Sequence, residues 1–255
     1  MRSVKLSFLL VAFLIAASHL LNAQPADELL KEGLGLQQKY QDEAALEKYK
    51  QILLVNPANT EAGLRALEVT LALGQLAPLE KDRLFWLNQH QIYLDQFAAD
   101  SLNDRYQYYL ALYNIERAKQ EKRPDRIAEW MKLAGLAAQK AVSINPSSGR
   151  ANYALGKWHY EMLAFTTLKK AAIHLTRGAG LPDASLKTAI ELMEFCRKAE
   201  PYFASNFLDL GKAHQMDERY ETAIAVLHQL TRLPARRSTD AAAKVEGAKL
   251  LDSLK

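Results

Sequence analysis

The chain has 255 residues, 49% hydrophobic and 24% charged, the balance of a globular protein and not of a disordered one. Eleven glycines and eight prolines are too few for the many turns of a sheet protein this long, whereas the abundant Ala, Leu, Lys, Glu and Gln favour helix. The formal charge of +4 falls to +2 once Arg2 and Lys5 are assigned to a leader, too little for the concentrated basic face that nucleic acid needs. The single cysteine, Cys196, excludes an internal disulfide and a multi-cysteine zinc site.

The leader is the first element. Two positive charges precede an almost wholly apolar run, Leu6 to Ala17, followed by Ser18-His-Leu-Leu-Asn-Ala23, which ends on a small residue although Leu21 is larger than is usual two places before a cut. That order is a secretory signal peptide, expected to be cut after Ala23, and the run is short of the ~20 residues a spanning helix needs. The expected domains are therefore a signal at 1–23 and one helical repeat domain at 24–255, in the periplasm or outside the cell. An uncleaved signal is one of two routes to a membrane; the other is a helix in the inserted segment described below.

Repeats organise the rest. Three helical stretches end on similar phrases, closing with Asn56-Pro57, Asn145-Pro146 and Glu200-Pro201, and a weaker copy closes at Pro234. Each proline stops one helix and opens the turn to the next pair. Gly33, Ala45 and Pro57 are twelve residues apart in succession, and Gly211 to Ala223 repeats the interval. Gly156 to Ala189 is 33 instead, so about 21 residues are inserted, at about 165–185. A glycine costs a helix roughly 1 kcal/mol against alanine, and its use is to let the partner helix approach closely. Gly33, Gly156 and Gly211 are thus expected to pack against Ala45, Ala189 and Ala223. Between Pro57 and Pro146 the signature fades, but helical periodicity predicts helices at Thr60–Gln75, Leu79–Ala99, Leu102–Lys122 and Asp125–Ser143. Asn103 and Pro124 look like helix starts, and Ser238 to Leu254 reads as a capping helix begun by Ser238, Thr239 or Asp240.

These spacings resemble the tetratricopeptide repeat, whose period is about 34 residues. The expected fold is an all-α, tetratricopeptide-like solenoid of about five helical hairpins, with an insertion in the penultimate repeat and a C-terminal capping helix. From Ala138 onward the chain further resembles the regulator of microtubule dynamics family. The matching residues are Gly156-Lys-Trp-His-Tyr-Glu161, the insertion up to Gly180-Leu-Pro182, Lys198-Ala-Glu-Pro-Tyr-Phe203, and Asn206 to Lys212. The resemblance implies a tetratricopeptide-like fold and, in animal members, association with microtubules. Export separates this chain from cytosolic tubulin.

No catalytic set converges, so the chain is read as a non-enzyme without cofactor or metal. His159-Tyr-Glu161 has the His-x-Glu look of a zinc deaminase but lacks the paired cysteines, which leaves His159 as a core or groove residue. Cys196 is expected to be buried and inert. Trp158 is expected to pack between its repeat and the insertion. First helices of such arrays line a concave groove, which places Arg150, Tyr153, Lys157, Tyr160, Glu161, Lys212 and Gln215 there. Lys157 and Lys212, each next to its glycine, would form one basic stripe suited to a protein or peptide with carboxylates. A chaperone-tail clamp is missing, because Leu30, Leu34 and Leu208 stand where its polar residues would be. The leading function is a protein-binding scaffold. The alternative is a structural subunit of a cell-envelope complex docking through the inserted segment.

Overall fold

The computed structural model describes residues 25–165 and 183–254. The expected leader, the expected helix of the insertion and the expected turn at Gly180-Leu-Pro182 lie outside the described residues. Eleven α-helices follow one another, and no strand occurs among the described residues. They form five antiparallel hairpins: α1 (Ala26–Gln38) with α2 (Asp42–Val55), α3 (Thr60–Leu76) with α4 (Glu80–Gln96), α5 (Asp104–Gln120) with α6 (Pro124–Ile144), α7 (Gly149–Ala164) with α8 (Leu186–Ala199), and α9 (Ala204–Met216) with α10 (Tyr220–Arg232). A last helix, α11 (Ser238–Ser253), packs on α9 and α10.

The punctuation works as local chemistry dictates. Helices α2, α6 and α8 end on Asn56, Asn145 and Glu200, each immediately before its proline, and each of those backbone N–H groups still closes the last turn. Three residues after Asn56 and Asn145, Asn59 and Ser148 cap the next helix, their side-chain oxygens accepting from the N–H of Ala62 and Ala151. Asn103 caps α5 by accepting from Arg105 N–H at 2.9 Å, and Pro124 occupies the first turn of α6. At α11 the capping carboxylate is Asp240, which accepts from the N–H groups of Arg236 and Arg237 at 2.8 and 3.0 Å.

The glycine seams are real, but only one has the expected partner. A Cβ at Gly156 would lie 3.0 Å from the Ala189 carbonyl oxygen, so α7 and α8 touch backbone to backbone across the insertion. At Gly33 the space is taken by the Tyr49 ring and at Gly211 by Leu227, although Ala45 and Ala223 are fully buried nearby in sequence. A large side chain fills the gap one helical turn further along, which closes the seam equally well. Trp158, whose expected packing against the insertion lies outside the described residues, joins two repeats. It is fully buried, and its indole N–H donates to the Met131 carbonyl at 2.8 Å, so it ties α7 to α6 of the preceding repeat.

The array closes on itself. Helix α11 reaches α3, Tyr40 O–H donates to the Ala235 carbonyl at 2.9 Å, and Ser238 bonds Asp42. Arg237 Nε lies 3.6 Å from Glu68 of α3. The C-terminal end therefore meets the N-terminal end, and the first helices of the hairpins, together with α11, enclose the concave side as a ring.

Candidate functional site

First helices of successive hairpins run the same way, so their N-terminal ends share one rim of the ring. Along that rim lie Arg65 on α3, Arg105 on α5, Arg150 on α7, and Arg237 before α11. They surround a cavity of about 400 Å³ with Glu68, Tyr108 and Glu200. Two of the arginines are neutralised internally: Arg65 bonds Glu61 and Glu68 at 2.8 and 2.9 Å, and Arg105 bonds Glu61 at 2.6 Å. Arg150 stacks its guanidinium 3.4 Å from the Phe203 ring centre and pairs with Glu200 at 3.1 Å. Burial works against that charge, but Tyr108 and Glu200 outweigh it and hold Arg150 more firmly protonated than usual. Arg237 lies 5.4 Å from the same ring, and Glu68, already held by Arg65, is too far from it for a hydrogen bond. Among the described residues Arg237 thus has a single, loose ion pair, its Nε 3.6 Å from Glu68.

Deeper in the ring the side chains satisfy one another. Lys157 Nζ bonds Asp209 at 2.7 Å and Glu161 at 3.2 Å. Tyr153 O–H donates to Asp209 at 2.7 Å, and Lys119 reaches Glu161 at 2.6 Å. Lys212 pairs with Glu246 of α11 at 2.7 Å and stands 3.9 Å from Asp209. Burial alone would raise the Asp209 carboxyl, but Lys157 and Lys212 override it and hold it down to about 2. Lys157, opposed by burial, is kept charged by Asp209 and stays well above the ordinary lysine range. A buried pair with this many partners is fixed in place.

The sequence-derived groove residues therefore separate by depth. Arg150 lines the open mouth, and Tyr153 lines the narrow space of about 50 Å³ beneath it. Lys157 and Glu161 are buried in the ion-pair chain. Tyr160, Lys212 and Gln215 are half-buried at the far end. Lys157 and Lys212 do converge, but on Asp209 of the chain itself. Sequence reading missed Arg65, Arg105, Tyr108, Asp209 and Arg237. One signal was present: two residues before its glycine the last repeat has Asp209 where the other copy has Ala154, a carboxylate at a core position.

Other candidate chemistry is internal. His159 is buried, accepts from the Ser185 N–H at 3.2 Å, and is pulled down by burial to about 4. Burial pushes the Cys196 thiol up to about 12. Among the described residues no group of three His, Cys, Asp or Glu could hold a metal ion, and no helix is long and apolar enough to cross a membrane.

Comparison with solved structures gives helical repeat proteins. The thermophilic tetratricopeptide repeat protein TTC0263 of Thermus thermophilus superposes with a TM-score of 0.65 at 15% identity, covering 89% of this chain and 99% of that one. Pseudomonas aeruginosa pilF gives a TM-score of 0.51 at 14% identity, covering 89% and 84%. The curated proteins contain no match. At such identities the likeness establishes the tetratricopeptide-like solenoid and nothing finer. The family model described as "Regulator of microtubule dynamics protein 1-3" matches residues 23–255, nearly twice the stretch over which the sequence resemblance was drawn. The solenoid, the interrupted penultimate hairpin and this end-to-end match agree: the chain belongs to the regulator of microtubule dynamics family.

Proposed function

We propose that this protein is a binding scaffold whose arginine-lined mouth takes an acidic segment of a partner protein. The observation that carries the reading is Arg237. It faces a cavity of about 400 Å³ beside Arg150, and its one ion pair among the described residues is a loose one, Nε to Glu68 at 3.6 Å. Guanidiniums recognise carboxylates through paired N–H donors, and partial desolvation in a cavity strengthens that bond. Tyr108 and Phe203 add rigid contact area beside the charges. The family description, which speaks of microtubule dynamics, concerns a protein assembly and agrees with a protein partner. Export before binding is supported by the order of charged, apolar and small residues in 1–23 and by a family match that begins at residue 23. The partner then belongs to the envelope or the exterior.

Affinity capture from an envelope extract tests this. Wild-type protein should retain a partner that Arg237→Glu releases and that raised salt weakens, since exposed charge pairs are screened. Retention of every partner by a folded Arg150→Glu/Arg237→Glu double variant would show that the mouth is not the binding site.

A further inference from the structure

A second surface lies outside the ring, on the convex side of the middle hairpin. Between α4 and α6 an open trough of about 480 Å³ exposes the outer face of α5. Helix α4 packs closely on α3 and only lightly on α5, so it leaves this face uncovered. The trough follows the antiparallel α5–α6 pair: Leu110 and Tyr113 form its floor, and Trp130, Leu133 and Ala137 its wall. Leu133 and Leu136, 42% and 41% exposed, both line it and add to its apolar area. The ends are basic. At one stands Lys140; at the other Arg117 lies over the Trp130 ring, 5.3 Å from its centre, with only Asn88 as a side-chain partner. Neither cation is ion-paired among the described residues, and the trough itself contains no carboxylate.

We infer that this trough docks an amphipathic helix of a partner protein, about three turns long, with an acidic residue at each end of its apolar stripe. Length follows from the wall: Trp130 to Lys140 is ten residues of helix, about 15 Å. Helix follows from the floor. The helical walls offer no free backbone N–H or C=O, so an extended strand would leave its own polar groups unpaired over apolar side chains, whereas a helix satisfies itself. Charge follows from the two ends, because a single-headed amphiphile such as a lipid matches one cation and not both. The apolar anchors of the ligand should recur at i, i+3 or i+4, and i+7 between acids ten or eleven residues apart.

A phage-displayed library of helical peptides, selected on the purified chain, tests this. Selected sequences should carry that spacing, and Leu133→Glu should weaken them about tenfold or more, the effect of losing roughly 1.4 kcal/mol at a central contact. Lys140→Glu should weaken them too, and a peptide with lysine in place of the acid at that end should recover binding to Lys140→Glu. The swap distinguishes recognition from a folding defect. The inference is overturned if no binder is selected, or if binders ignore both substitutions. It is also overturned by three other occupants of the trough. Those are a concentration-dependent dimer abolished by Leu133→Glu, an anionic phosphatidylglycerol vesicle released by the same substitution, and binders that appear only after deletion of residues 166–182.

Discussion

Two residues inside the ring decide much of its stability. Lys157 and Asp209 are 7% and 4% exposed, so removing one leaves the other charged, buried and without its main partner. Lys157→Ala should cost about 3–5 kcal/mol in urea unfolding, and Lys157→Met/Asp209→Leu should lose less than either single change. The histidines act in the opposite sense. His90 is wholly buried; Thr70 O–H donates to Ala66 at 2.7 Å, so the 3.0 Å contact from Thr70 to His90 Nδ1 needs the proton on Nδ1. Among the described residues Nε2 then has no hydrogen-bond partner. Burial pulls His90 down to about 3 and His159 to about 4, both below an unfolded value of 6.5. Between those limits the unfolded chain takes up protons that the folded one refuses, so stability falls as the pH drops from 6.5. By pH 5 each histidine should contribute a loss of about 2 kcal/mol, seen as a urea midpoint that moves less in His159→Gln than in wild type.

Among the helices, identical substitutions should have opposite outcomes. Gly35 has open space where a Cβ would go, so Gly35→Ala should stabilise α1 by about 0.5–1 kcal/mol. Gly156→Ala meets the Ala189 backbone at 3.0 Å, and backbone cannot yield as a side chain does; the net should be a loss of about 1–2 kcal/mol in thermal or urea unfolding. The sequence showed these helices well because their punctuation is local: Asn103 and Pro124 act through neighbours one turn away, and the proline phrases recur at repeat spacing. It showed the α7–α8 contact because two measures of one insertion agreed. It did not show that Tyr49 and Leu227 fill the other glycine seams, since either a small or a large residue can close such a gap. The groove was legible in register and not in depth. Facing inward is a property of one helix, whereas the burial of Lys157 depends on a carboxylate 52 residues away.

At the scale of the molecule the decisive feature is closure. An open solenoid would offer the whole concave stripe to a ligand; the closed ring leaves a mouth at one rim and fills the interior with its own ion pairs. Closure rests on contacts such as Tyr40 with Ala235, 195 residues apart, which no periodic signal can announce. It also brings Arg237 to face Glu68 and Phe203, and so creates the proposed binding mouth. The most direct measurement is the distance between spin labels at Lys39 and Ala235, in a Cys196→Ala background, by pulsed electron resonance. A closed ring gives one narrow population near the short limit of the method. A broad or long population means an open solenoid, and the mouth formed by α3, α7 and the α10–α11 turn would not exist.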